Sequence, residues 1–256
     1  MSDLTQSLNE VSGIEMVANS DLIWMINDSG NASEIYGLSQ SGEIQKVVTV
    51  NANNKDWEDL ATDGEGNLFI GDFGNNSEKR KKLTILKIKN IDLINKKKVE
   101  AQKITFKYPK LVTLKKQVSF DAEAFVYYQN AFYIFTKSRN KKKRGQTFLF
   151  KVPNEVGKHT AEFIEEFSFC NAIDCRITAA DISSDGTKIV LLNHKAIFEL
   201  SGFKKDRFFS GIIKEIPLNH SSQKEGICFQ KGNALFITDE YSRYTKGNLY
   251  EFMLKN

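Results

Sequence analysis

Three observations predict an all-β fold, a five-bladed β-propeller filling residues 1–256 as one domain. One hairpin pattern recurs five times, alternation rich in β-branched and aromatic residues runs throughout, and no amphipathic helix of normal length is visible. Each copy has a small or acidic residue, a strand of about four residues, a turn, and a second strand ending in a polar residue. The copies read SGIEMVANSDLIWMIND from Ser12, EDLATDGEGNLFIGD from Glu58, EAFVYYQNAFYIFTK from Glu123, ADISSDGTKIVLLNH from Ala180 and EGICFQKGNALFITD from Glu225. Glu58 to Asp72, Glu123 to Lys137, Ala180 to His194 and Glu225 to Asp239 are each fourteen residues apart, and Ser12 to Asp28 carries two more.

A third strand pattern follows each copy (EIYGLS, LTILKI, TFLFKV, AIFEL, NLYEFML), and a fourth follows most (IQKVVTV, QKITFKY, AEFIEEF, IIKEIPL). Four antiparallel strands per repeat is the signature of a propeller blade. The fifth copy ends at its third strand. The N-terminal stretch LTQSLNEV is expected to supply its missing outer strand, pairing first with last and removing an exposed edge. The alternative is a six-bladed ring with one more blade hidden in residues 89–120, where only one further strand pattern is clear.

Composition fits one globular domain, with 41% hydrophobic and 27% charged residues, three prolines and no Ser/Gly-rich linker. The apolar runs are strand-length, so no transmembrane helix is expected. The start, MSDLTQSLNEVSG, lacks the charged and apolar regions of a signal peptide, which leaves a cytosolic chain or one beginning after cleavage. Cys170 and Cys175 are close enough to close a small disulfide loop, three unpaired thiols fit equally well, and Cys228 reads as buried. A net charge of +4 is too mild to imply nucleic acid, and a monomer is expected.

In a blade the first strand lines the central channel and the second runs back beside it. The strand-start positions Ser12, Glu58, Glu123, Ala180 and Glu225 therefore share one mouth with the strand-end positions Asp28, Asp72, Lys137, His194 and Asp239. Glu15, Asp59 and Asp181 lie close by in sequence. Three glutamates converging on a narrow axis repel unless they are protonated, paired or bound to a cation. A hard cation with oxygen ligands is the economical solution, and calcium accepts flexible many-oxygen geometry better than magnesium. The competing reading is that the carboxylates are solvated or cap backbone groups, with Lys137 neutralising its neighbours. The stretches NDSGN, TDGEGN and DFGNN lack the flanking helices and twelfth-position glutamate of an EF-hand and read as turns.

The loops leaving the second strand open on the same mouth and are basic in three blades: EKRKK, RNKKKR and RYTK. A lysine-rich loop is usually a solvated tip. Together, Lys137, Arg139, Arg144 and Arg243 are expected to form a rim that draws an anionic ligand towards the ion. There is no P-loop, G-x-S-x-G, HExxH or CxxC. His159 and His220 read as loop residues, whereas His194 falls at the mouth and is the best acid–base candidate, with Asp72 and Asp239 beside it in rank. Trp24 and Trp57 read as core.

DGEGNLFIGDFGNN resembles the second-strand turn of NHL-type and SMP-30/gluconolactonase-type propellers. The blade starts SGI, EDL, EAF, ADI and EGI resemble those of the calcium-dependent soluble apyrases, five-bladed propellers that hydrolyse nucleoside di- and triphosphates around an axial calcium. That resemblance implies calcium ligands at Ser12, Glu58, Glu123 and Glu225. Ala180 departs from the pattern, so Asp181 or Thr178 would compensate. The SGI, NDSGN, DWEDL and GDFGNN segments are also similar to an uncharacterised group of exported bacterial propellers, which implies a periplasmic or secreted location.

Three functions are open from the sequence. The first is a metal-dependent hydrolase of a phosphorylated or other anionic small molecule. The second is a non-catalytic module that binds a macromolecular partner and holds a structural calcium. The third is a six-bladed lactonase- or esterase-like enzyme.

Overall fold

The computed structural model describes residues 2–18, 20–109, 120–170, 172–243 and 246–255. It folds as five antiparallel sheets, each four strands wide at its core, giving five blades. The inner strands are Val11–Met16, Trp57–Thr62, Phe120–Tyr128, Ala179–Ile182 and Lys224–Phe229, and they pack neighbour to neighbour around the channel. The second strands are Ile23–Asn27, Leu68–Asp72, Ala131–Ser138, Lys188–Leu192 and Ala234–Asp239. Among the described residues no sixth sheet forms. Of the stretch reserved for an extra blade, Gln102–Lys107 is the outer strand of blade two, Lys98–Val99 is a short strap, and residues 110–119 lie outside the described residues.

Each second strand reads as an almost unbroken apolar run because it is buried on both faces. Alternate residues enter different cores, as the period of two requires. Phe132 and Ile134 pack between blades two and three, while Tyr133 and Phe135 between them in sequence pack between blades three and four. Five such clusters fill the five blade interfaces. Trp24 and Trp57 are both fully buried, in the cluster between blades one and two.

The N-terminus closes the ring as expected, but through residues that precede LTQSLNEV and not through that stretch itself. Ser2 and Asp3 pair with Leu249 and Asn248 of blade five. Thr5 onward turns away into a 3-10 turn at Gln6–Leu8, which leaves Leu4 and Leu8 buried between blades one and five. Two further edges are covered by straps. Lys98–Val99 adds in parallel to the outer strand of blade one, and Gly157–Thr160 from blade three adds in parallel to that of blade two. Cys170 and Cys175 form a disulfide between blades three and four, and Cys228 is a buried thiol.

Candidate metal centre at the channel mouth

A β-bulge places the mouth residues. Pairing of inner and second strands skips one residue between Val11 and Gly13, Trp57 and Asp59, Ala122 and Ala124, and Lys224 and Gly226. The skipped residues are Ser12, Glu58, Glu123 and Glu225, four of the five read as strand starts. A bulge re-aims its side chain, and its recurrence turns the four towards one place. Blade four differs from expectation by two residues. Its regular pairing begins at Ala179 opposite Leu192, so the equivalent position is Thr178. The Thr178 hydroxyl donates to the Lys224 carbonyl at 2.6 Å, as Ser12 donates to the Trp57 carbonyl at 2.9 Å. The two hydroxyls thus tie neighbouring inner strands together, each at the residue before a mouth glutamate.

The three glutamates have unlike partners. Glu123 accepts from Lys137 Nζ at 2.9 Å and Arg139 Nη2 at 3.3 Å, and Glu225 Oε1 lies 3.3 Å from His194 Nε2. Glu58 is only 7% exposed and accepts no hydrogen bond among the described residues. Its surroundings are acidic. One oxygen each from Glu58, Asp121 and Glu123 lie within 4.8 Å of one another, and so do oxygens from Glu58, Asp28 and Asp56. Gly74 completes the cradle, since a Cβ there would land on the Glu58 and Asp56 carboxylates.

Burial, with Glu123, Asp28, Asp121 and Asp56 nearby, pushes the Glu58 carboxyl well above the ordinary range. Burial, together with Glu123, pushes Asp121 to about 7; burial, with Asp56 and Glu123 adding to it, pushes Asp28 to about 6. Glu123 is the contrast: burial would raise it, but Lys137 and Arg139 outweigh that and hold it low. The Lys137 ammonium is disfavoured by burial, yet Glu123, Glu225 and Glu58 hold it above its usual range. Lys137 is therefore the chain's own cation among the three glutamates. The remaining excess of negative charge sits beside it, around Glu58.

These residues fit a hard divalent cation. The donors are all carboxylate oxygens, two triads share Glu58, and Glu58 is a buried acceptor without a donor among the described residues. Calcium suits so many oxygens on separate loops better than magnesium, which demands near-ideal octahedral geometry.

The other sequence candidates scatter. Asp181 lies inside the channel towards the opposite mouth. Asp72 is paired with Arg80 at 2.9 Å. Asp239 is fully buried within blade five, bonded by Asn248 and Tyr250. Of the rim, Arg139 bridges Asp121 and Glu123, Arg144 is half-buried in the same loop, and Arg243 is exposed. Asp56 and Asp121 were missed as members of the carboxylate cluster, yet each stands two residues before a mouth glutamate, so the repeated D-x-E of DWE and DAE was a usable signal. Arg176, its guanidinium destabilised by burial and by Arg139, was also missed.

No family model matches the chain, and no curated protein matches it. Among solved structures, a catalytically inactive virginiamycin B lyase from Staphylococcus aureus bound to quinupristin is 15% identical over 96% of this chain and 67% of that one, with a TM-score of 0.48. A gluconolactonase from Xanthomonas campestris is 10% identical over 88% and 67%, with a TM-score of 0.49. A nidogen/laminin complex is 10% identical over 90% and 72%, with a TM-score of 0.48.

Proposed function

We propose that the chain is a calcium-binding propeller that hydrolyses a phosphorylated or other anionic small molecule at the mouth bearing Glu58. The observation that carries this reading is Glu58 itself, buried, undonated and shared by two carboxylate triads. A bound calcium would supply charge to polarise a substrate oxygen or a water. Glu58, Asp28, Asp56, Asp121 and Glu123 would hold it. The exposed part of Arg139 and the adjacent Arg176 face the same mouth and would orient an anion. His194, held by Glu225, stands across the mouth as the group to move a proton. The disulfide between Cys170 and Cys175 favours an oxidising compartment, in line with an exported protein.

A second reading has its own observation. Lys137 and Arg139 already spend their charge on Glu123 and Asp121, a closed network that suits a structural ion under a binding surface. One experiment separates the two. Calcium-loaded and EDTA-stripped protein are assayed against nucleotides, phosphomonoesters and lactones. The hydrolase reading expects calcium-dependent turnover of an anionic class that falls at least about tenfold in His194→Ala. No turnover of any substrate by the calcium-loaded protein overturns it and leaves the structural ion.

A further inference from the structure

The opposite end of the channel carries a separate feature. There the turns joining inner and second strands surround a cavity of about 710 Å³, a volume in the range of small-molecule sites. Four carboxylates line it, Glu15, Asp63, Asp181 and Asp185, against one basic side chain, Lys231, which is exposed. Tyr127 and Tyr128 form part of its wall. Asp63 and Asp185 are engaged within their own turns, accepting from Glu65 N and from Ser183 Oγ. Glu15 and Asp181 are the floor, 3% and 6% exposed, with Asp59 wholly buried near them.

No lysine or arginine pairs with Glu15, Asp59 or Asp181 among the described residues. Both oxygens of Asp59 accept backbone N–H groups, from Leu60 and Phe125. Those of Asp181 accept from Ile182 and Phe229. Glu15 differs. Its Oε1 accepts from Met16 N at 2.7 Å, while its Oε2 has no donor among the described residues, although the side chain is more than nine-tenths buried and lines the cavity. The interior thus offers one open acceptor at the foot of a roomy cavity, among carboxyl groups whose charged forms burial and their mutual repulsion disfavour until a cation offsets them.

We propose that this cavity is a binding site for a small organic cation, a primary ammonium or guanidinium on a body that fills the space beside Tyr127 and Tyr128. A metal is the poorer occupant. Calcium wants six to eight oxygens, but the oxygens of Asp59 and Asp181 are taken by the backbone, and Glu15, Asp59 and Asp181 do not converge as the Glu58 triads do. An ammonium needs one or two acceptors and the surrounding negative field. This site is independent of the calcium reading, since none of its residues belongs to the other mouth.

The test is titration calorimetry of the calcium-loaded protein at pH 8 with benzylammonium, and with benzoate as the matched anion. Benzylammonium is expected to bind at least about tenfold more tightly than benzoate. Glu15→Gln and the surface variant Ser184→Trp, which plugs the opening without touching the core, should each weaken it about tenfold. Glu58→Gln should leave it unchanged. Equal or absent binding of the two probes overturns the proposal, as does benzylammonium binding that survives Ser184→Trp. Loss of a calcium equivalent in Glu15→Gln also overturns it, in favour of a metal.

Discussion

The two mouths of the channel solve the same electrostatic problem differently. Both gather carboxylates from several inner strands into a narrow space. At the strand-start mouth the side chains leave β-bulges, so they face one another and must be answered by charge: Lys137 and Arg139 bond to Glu123, while Glu58 accepts no hydrogen bond among the described residues. At the turn mouth Asp59 and Asp181 lie on regular strand and are answered by backbone N–H groups instead. Hydrogen bonding to N–H leaves the site polar and open, whereas opposing carboxylates call for a cation. The bulge decides at which mouth the carboxylates oppose one another.

The largest expected effect breaks the charge balance at the strand-start mouth. Lys137→Met strips the buried partner from Glu123 and a nearby cation from Glu58 and Glu225, and should destabilise the metal-free protein by about 3 kcal/mol. Thermal unfolding should show a fall of about 8 °C, with calcium restoring more of the loss than it adds to the wild type. An unchanged melting temperature would mean that Lys137 does not hold the ring together.

A smaller effect separates repulsion from packing. Gly74→Ala places a methyl where the Glu58 and Asp56 carboxylates lie, so calorimetry should show calcium affinity falling about tenfold with far-UV circular dichroism unchanged. Retained affinity would move the ion away from Glu58.

The turn mouth is tested by pH. Burial lifts Asp181 from its ordinary 3.8 to about 7, with the Phe229 and Ile182 N–H groups opposing. The folded protein therefore keeps a proton that the unfolded chain releases. That contribution is complete below about pH 4 and is lost as pH rises through about 7. Between pH 5 and 8 the melting temperature of the wild type should fall relative to that of Asp181→Asn by about 5 °C. Parallel profiles would show that Asp181 titrates normally. The smallest effect belongs to the rim. Arg243→Ala, at an exposed site, should leave stability within about 0.5 kcal/mol while raising KM for an anionic substrate a few-fold.

The fold was legible because each blade repeats the same constraint. Double-sided burial wrote runs such as LFIGD and ALFITD, and the turn between them kept the spacing. The mouth was legible where a glutamate fills the bulge, at Glu58, Glu123 and Glu225. It was misread in blade four because Asp181 imitates an acidic strand start, whereas the bulge position holds Thr178, which serves by a hydroxyl bond rather than by charge. Strand ends shifted for a related reason. In blade four regular pairing stops at Leu192, which puts His194 two residues into the loop, whereas Lys137 stays within its strand opposite Asp121. The straps Lys98–Val99 and Gly157–Thr160 are too short for alternation to reveal, and they depend on edges made elsewhere in the chain.

The central claim is that Glu58 centres a divalent-cation site. Its most direct test is isothermal titration of EDTA-stripped protein with calcium chloride, in the wild type and in Glu58→Gln. One calcium should bind per chain, with an affinity at least about tenfold weaker in the variant, while the variant's metal-free melting temperature holds or rises as a buried repulsion is relieved. Calcium binding of equal strength in both proteins, or no binding in either, would contradict the account.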